Sequence, residues 1–323
     1  MSDSRQLLCD MAEGLFAELA DADFAAAWAR IEEAGFATLL VPEDKGGFGG
    51  DWGDAYAVLR LAGKSALAAP LAETLIGHAL LAEAGIAAPA GPIGLCGSDG
   101  RVLYGRHCSA VATVTDGELR LFDAAACTWE EGTNPAGEPH DRAVFTGAPA
   151  AAPCRADPVA LGAFARVAQS AGALEAAFEL TLEHVNTRVQ FGKPLGKFQA
   201  VQQAMAEFSV EAAAVDAAGQ AMATALDNAE KLGGEALFEI AVAKLRANIA
   251  IEKGFPIAHR LHAAIGFTME YALNRFTRRL MGWRSEFGND AYWSERLGRR
   301  VAGLGGAALW PEITRRGDAL IPA

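Results

Sequence analysis

The pattern of apolar and polar positions divides the chain into three textures. From residue 24, FAAAWARIEEAGFATLL sets apolar side chains three and four positions apart, the spacing of a helix with one buried face, and Gly35 stands where such a helix stops. A glycine-rich turn follows in VPEDKGGFGGDWG, and then two further helical runs divided by Pro70. Past residue 90 the period changes. RVLYG, SAVATVT, ELRLFD, ACTWEE and RAVFTG are short, alternating or β-branched, and Asp116–Gly117 between two of them is a hairpin signal. From Asp157 the pattern turns helical again and long. DPVALGAFARVAQSAGALEAAFELTLEHVNTR is predicted as one helix, with Asp157 as N-cap and Pro158 at its first position. LGKFQAVQQAMAEFSVEAAAVDAAGQAMATALDNAEKL is a second, and GGEALFEIAVAKLRANIAIEKGFPIAHRLHAAIG a third, expected to break near Pro256. TMEYALNRFTRRLMGW and DAYWSERLGRRVAGL are the last. Long helices with short connections are what an antiparallel four-helix bundle requires. The expected fold is mainly α with a small antiparallel β domain: a helical domain over 1–90, a reduced β domain over 91–153 and a long-helix bundle over 154–323.

Composition narrows the function. At 51% hydrophobic the 323 residues supply an ample core, and few aromatics (8%) favour close-packed helices over a large β-sandwich. A net charge of −12 argues against a general nucleic-acid binder, which needs clustered Lys and Arg against phosphate. The charge is uneven, however. Nine arginines lie between Arg275 and Arg316 against four acids (Glu286, Asp290, Glu295, Glu312), so this section either meets an anionic ligand or acidic partner, or forms a solvated face. The five cysteines form no C-x-x-C pair and the six histidines have no zinc-site spacing, so reduced thiols and no metal are expected. MSDSRQLLCDMAEGL lacks the basic start and apolar run of a signal peptide, and no run of ~18 apolar residues occurs, which points to a cytoplasmic protein without a membrane span. GGFGG at 46–50 has no following Lys-Ser/Thr and reads as a turn, not a phosphate loop.

The chemistry concentrates at 187–202, TRVQFGKPLGKFQAVQ. An arginine, a glutamine and a phenylalanine crowd into four positions, glycine and proline follow, and a new helix opens with Phe-Gln, which admits a cofactor cradle as one reading. The plain alternative is a helix–helix turn in which Phe191 and Phe198 pack and Arg188 is solvated. Four segments together decide how to read it: EEAGFATLLVPEDKGGFGG (32–50), DRAVFTGAPA closing the β region, RVQFGKPLGKFQAVQ (188–202) and RLHAAIGFTMEYALNRFTRR (260–279). In this order they resemble the acyl-CoA dehydrogenase family across nearly the whole chain, the third being the most specific. The resemblance implies FAD as cofactor and an acyl-CoA substrate. It also implies that the ADP half of each flavin is held by a neighbouring subunit. Carried over, Arg188, Phe191 and Gln199 form that cradle with Gln190 as helper, and Arg260 stands where the family often has a glutamine near the adenosine.

Departures from the family matter as much. The resemblance implies a glutamate base that removes the α-proton, at one of two positions; here these are Phe287, in WRSEFGND, and Gly162, in VALGAFAR. Glu286, one step earlier, is the candidate displaced base, set against a plain role paired with Arg284 or Arg279. The family's T-E-x-x-x-G-S-D and W-x-T-N segments are missing: LCGSDG keeps a Gly-Ser-Asp fragment and CTWEEGTN keeps Trp129 alone. What is missing would hold a subunit's own flavin ring; what is kept would hold a neighbour's ADP. The chain thus resembles the shortened subunit of heteromeric bacterial steroid-degrading acyl-CoA dehydrogenases, whose partner is a full-length subunit. A self-sufficient homo-oligomer using Glu286 and a non-catalytic structural or ligand-binding bundle are the alternatives. His259 and His262, flanking Arg260, are expected to pack or cap.

Overall fold

The computed structural model describes residues 3–20, 22–97, 99–229 and 236–319. Ser98 of the Gly-Ser-Asp fragment and residues 230–235, across which the second and third long helices were expected to meet, lie outside them. Four helices come first: α1 (Asp3–Glu18), α2 (Phe24–Glu33), α3 (Trp52–Lys64) and α4 (Leu71–Ala84). Asp23 caps α2 through the Ala26 N–H, and Gly35 follows that helix in the left-handed conformation (φ 76°), where a side chain would be strained. Asp51 and Asp54 form a reciprocal capping box at the start of α3.

Seven strands follow: β1 (Ile93–Leu95), β2 (Arg101–Leu103), β3 (Ala110–Thr115), β4 (Glu118–Asp123), β5 (Thr128–Glu130), β6 (His140–Val144) and β7 (Ala150–Pro153). They form a four-stranded sheet ordered β1-β3-β4-β7 and a three-stranded sheet ordered β2-β6-β5. Asp116 and Gly117 make the two-residue turn between β3 and β4, both at positive φ. One pair departs from the antiparallel expectation. β1 runs parallel to β3, because β2 and the turn after it intervene and belong to the other sheet.

The rest is α5 (Pro158–Thr187), a minimal hairpin of β8 (Val189–Gln190) and β9 (Lys193–Pro194), α6 (Gln199–Asp227), α7 (Leu237–His262), α8 (Leu273–Trp283), α9 (Asp290–Leu304) and α10 (Gly306–Ala319). α5 is the central rod: every residue from Ala160 to Leu174 is buried, so it has no solvent face along that length. Small residues permit this. A Cβ on Gly172 would run into the Arg60 carbonyl of α3, and one on Gly63 of α3 into the Gln169 carbonyl of α5, so the two backbones touch directly. Gly254 of α7 likewise makes room for the Phe208 ring of α6. One apolar core runs from α1 through the bundle to Leu95, Ala112 and Leu119 of the larger sheet; Val102, Cys108, Val111, Ala124 and Ala143 form a smaller one.

Several expectations are corrected. α7 continues through Pro256, because Gly254, Ile257 and Ala258 are buried on either side and their packing outweighs one lost backbone bond. Residues 268–272 form turns, and α8 starts only at Leu273. α1 and α10 are helices not read from the pattern. The arginine-rich section is largely neutralised from within: Arg279 pairs with Glu138, Arg284 with Glu252 and Asp290, Arg296 with Asp157, Arg299 with Glu295, and Arg300, Arg315 and Arg316 with Glu312. Among the described residues, no helix is long and apolar enough to cross a membrane.

The glycine contact yields a direct test. Gly172→Val is expected to lower the unfolding free energy by about 1–3 kcal/mol or more, the usual range for overpacking. Gly298→Ala in α9, where a Cβ meets nothing, should be neutral or stabilising by up to ~1 kcal/mol. Urea denaturation of the two variants measures both.

Candidate functional site

Chemistry-bearing residues gather at two places along the bundle. The first is the connector between α5 and α6. Arg188 closes α5, its N–H donating to the His184 carbonyl at 2.9 Å, and its own carbonyl accepts from the Leu195 N–H at 2.9 Å. Val189 and Gln190 then pair with Pro194 and Lys193, leaving Phe191–Gly192 as a two-residue turn with φ of 51° and 79°. Glycine adopts this conformation freely, but an aromatic residue does so at a penalty of roughly 1–2 kcal/mol. The strained Phe191 side chain is also 90% exposed, touching Phe198 edge-on at 6.2 Å between ring centroids. Arg188, Gln190, Gln199 and Arg260 are exposed as well. Phe198 precedes α6 without a side-chain cap, so the first amides of that helix keep their hydrogen-bonding capacity.

Arg260 lies on α7, yet it shares this end of the bundle. His184 of α5 stacks on His262 of α7 at 4.4 Å, which joins the two helix ends. Arg188 lies one turn beyond His184, and Arg260 two residues before His262. Burial pushes both imidazoles below their ordinary value, and for His184 the neighbouring His262 and Arg188 add to the effect. The rings are therefore neutral at physiological pH, and the positive charge here resides on the arginines. Among the described residues no carboxylate pairs with Arg188 or Arg260. His259 and His262 take internal partners, the Thr277 hydroxyl at 3.1 Å and the Tyr271 hydroxyl at 3.1 Å.

The second place is where α4, α5 and the loop after α8 meet. Gly162 and Phe287, far apart in sequence, touch here: a Cβ on Gly162 would fall inside the Phe287 ring. Phe287 too has a positive φ (51°). Its carbonyl accepts from the Trp293 indole at 3.0 Å, and its ring lies 5.3 Å from the Arg166 guanidinium carbon. Arg166 is 1% exposed and donates to three groups: Glu73 of α4, Glu286 at 2.7 Å and Gln169 at 2.6 Å. The flanking carboxylates hold its pKa above the ordinary arginine value despite complete burial. Glu286 is thus not paired with Arg284 or Arg279, as one reading of the sequence had it, since those arginines have partners of their own; it is held from 120 residues away. Lys244 of α7 stands behind the loop. Its ammonium donates to the Trp283 carbonyl at 2.6 Å and the Arg284 carbonyl at 3.2 Å, capping the end of α8.

Glu73, Arg166, Glu286 and Phe287 border a cavity of 260 Å³, with Leu95, Leu103, Val159, Arg101, His140, Asn289 and Tyr292 among its other walls. Trp129 and Asp99 have local tasks: the Trp129 indole donates to the Ala124 carbonyl, and Asp99 accepts the Arg101 N–H. Glu73, Arg166 and Lys244 were not singled out from sequence. Part of the signal was present, since Glu73 and Arg166 are each a lone charge in an apolar helical run (PLAETLIG, GAFARVAQ), whereas Lys244 shares its run with Arg246 (IAVAKLRA).

Two outcomes follow. Arg166→Met leaves the buried Glu73 and the largely buried Glu286 without their counter-charge and should cost about 3–5 kcal/mol in urea denaturation. The second concerns Lys244, whose pKa desolvation pushes from 10.5 down to about 7, Arg166 and Arg284 adding to the shift while Glu286 and Asp290 oppose it. Between those values the unfolded chain binds the proton and the folded chain does not, so this group makes stability rise with pH from about 7 towards 10. Lys244→Met should remove that rise from the stability–pH curve.

Comparison with known proteins gives a consistent picture. The family described as acyl-CoA dehydrogenase, C-terminal domain, matches residues 158–302. The acyl-CoA dehydrogenase IpdE2 of Mycobacterium tuberculosis is 30% identical over 268 residues, 78% of each chain. In fold, the chain superposes on a steroid acyl-CoA dehydrogenase variant, Tcur3481-Tcur3483, with a TM-score of 0.83 at 22% identity, covering 95% of this chain and 99% of that one. A chain of the ChsE4-ChsE5 complex from Mycobacterium tuberculosis superposes with a TM-score of 0.76 at 19% identity, covering 94% and 98%.

Proposed function

This chain belongs to the acyl-CoA dehydrogenase family, and from that premise we propose that it acts as a subunit that cradles the ADP half of FAD at an interface while a partner chain supplies the catalytic base. The class of the protein is that of an FAD-dependent oxidoreductase. FAD, when bound, supplies the hydride acceptor for α,β-dehydrogenation of a CoA thioester.

The residues fit one half of the cofactor and not the other. At the connector, exposed Arg188 and Arg260, without carboxylate partners among the described residues, together with the uncapped start of α6, suit a pyrophosphate. Phe191, held outward against its conformational preference, suits an apolar wall against a group arriving from another chain. Gln190 and Gln199 would meet its polar edges. At the chain's own cavity, of 260 Å³, the charged groups Glu73, Arg166 and Glu286 are committed to one another and Phe287 lies against Gly162, which supports a ring-binding role for another chain.

The observation that carries the reading is the contact of Phe287 with Gly162. Both places where the family sets its glutamate are joined by an apolar ring, and neither offers an acceptor for an α-proton. The nearest carboxylate, Glu286, already holds Arg166 through Oε2. A partner that supplies the base is in keeping with the assembly of ChsE4 with ChsE5 as a complex. A steroid-derived acyl group follows by analogy with the Tcur3481-Tcur3483 steroid enzyme. The second reading, a self-sufficient homo-oligomer, rests on the Oε1 of Glu286, which has no hydrogen-bond partner among the described residues.

The chain purified alone is expected to carry little flavin and to show no dehydrogenase turnover, and co-purification with a full-length family member should restore both. Flavin-rich, active isolated chain would overturn the proposal, and loss of that activity in Glu286→Gln would establish the second reading. In the complex, Arg188→Ala should weaken flavin retention about 10- to 100-fold, the worth of a charge-assisted bond, without dissociating the subunits. Phe191→Gly should also weaken retention, while stabilising the isolated chain by ~1 kcal/mol through relief of the left-handed turn.

A further inference from the structure

We propose that His184, His262 and His259 form a clasp that positions Arg188, Arg260 and the loop 263–272, and that it holds only while its imidazoles are neutral, so that mild acid loosens the grip on flavin. This rests on the reading of that end of the bundle as a cradle for the ADP half, and the clasp itself is tested on the flavin-free chain.

The hydrogen bonds assign a proton to each ring of α7. The His262 Nδ1 lies 2.9 Å from the Ala258 carbonyl, which can only accept, so Nδ1 carries the proton. The Nε2 of a neutral His262 then accepts from the Tyr271 hydroxyl at 3.1 Å. The Thr277 hydroxyl donates to the Leu273 carbonyl, so His259 Nε2, 3.1 Å from that hydroxyl, is the donor of the pair. His259 Nδ1 is thus the bare nitrogen, buried and without a hydrogen-bond partner among the described residues. A second proton on His259 would be a buried donor with no acceptor, and one on His262 would force the Tyr271 hydroxyl from donor to acceptor.

The rings join what they position. His184 of α5 stacks on His262 of α7 at 4.4 Å between ring centroids, close to both arginines in sequence. His259 contacts the Phe255 and Phe267 rings at 4.4 and 4.6 Å. Phe267 and Tyr271 belong to the loop that follows α7, which opens on Ala263 at a positive φ of 54°. The end of α5, the end of α7 and this loop therefore meet through the imidazoles.

Added charge would find no counter-charge. Among the described residues no carboxylate pairs with the three rings; they face one another, Tyr271, Thr277, the Leu180 and Ala258 carbonyls, and Arg188. Glu183 acts on Tyr271, and Arg260 and Glu270 are exposed on the neighbouring segments. Two stacked imidazoliums beside Arg188 would repel. Burial holds all three rings below the ordinary 6.5; His262 adds to this at His184 and His259, and Arg188 adds at His184, while the two carbonyls oppose it at His262 without cancelling it. As pH falls below that value the unfolded chain takes up protons before the folded one, so the clasp weakens on the acid side.

On the flavin-free full chain, nitrogen NMR of the imidazoles should find His262 protonated on Nδ1 and His259 on Nε2, with His184 and His262 titrating below the free-imidazole value. Urea denaturation should find stability falling from about pH 7 to about pH 5. His184 makes no side-chain hydrogen bond among the described residues, so His184→Phe keeps a stacked ring and removes a titrating one; its stability–pH curve should be flatter over that interval. In the complex with a full-length family member, flavin retention should drop about tenfold over the same interval, and no more than about threefold in His184→Phe. Reversed tautomers, titration of His184 and His262 at the free value, or parallel stability–pH curves for the two chains would overturn the clasp. Flavin retention that ignores pH in the complex would overturn its link to the cradle. A chain that forms no complex fails the subunit reading instead, and the measurements on the isolated chain still decide the clasp.

Discussion

The buried charge of Arg166 is the constraint on which the middle of this molecule depends. A guanidinium that is 1% exposed requires compensation, and the compensation comes from two distant segments: Glu73 on α4 and Glu286 on the loop after α8. Meeting that requirement draws the N-terminal helices onto the central rod and draws the loop across its start. Phe287, the next residue, is thereby laid over Gly162 and beside the guanidinium. The two positions at which the sequence resemblance places a base are thus covered by the same pairing that holds the elements together. Lys244 secures the arrangement from behind by holding the last carbonyls of α8.

The two ends of α5 therefore have opposite electrostatic characters. At its start the charges are buried and committed to one another, with an excess of acceptors. At its end Arg188 and, on α7, Arg260 are exposed with no carboxylate among the described residues to hold them, beside histidines kept neutral by burial. Most arginines of the C-terminal section are tied to acids or carbonyls, so a high local count of arginine does not make an anion site there. Availability of the charge, more than its density, distinguishes the connector.

Left-handed phenylalanines mark both places. Phe191 and Phe287 each precede a glycine in a turn with two successive positive φ values. One ring is thrown into solvent and the other is driven into the interior. Local backbone strain of this kind persists where surrounding structure over-determines it. At Phe287 the surroundings are visible in Trp293 and Arg166. At Phe191, among the described residues, they reduce to a contact with Phe198, in keeping with the proposed interface role.

Much of the fold was legible in the sequence because it follows from local periodicity. The change from helical spacing to alternation and back gives the order of helices, sheets and long bundle, and the Asp157 cap and the Asp116–Gly117 turn fall where their chemistry requires. The residues of the connector were legible for the same reason: a contiguous motif displays its chemistry in one stretch. Only the tertiary structure decided the rest. The partner of Glu286 lies 120 residues away, the contact of Phe287 with Gly162 spans a similar distance, and Pro256 stays inside a helix because its neighbours are buried. Pairing, burial and the occupancy of a pocket are properties of approach between segments, and no local pattern encodes which buried charge will meet which.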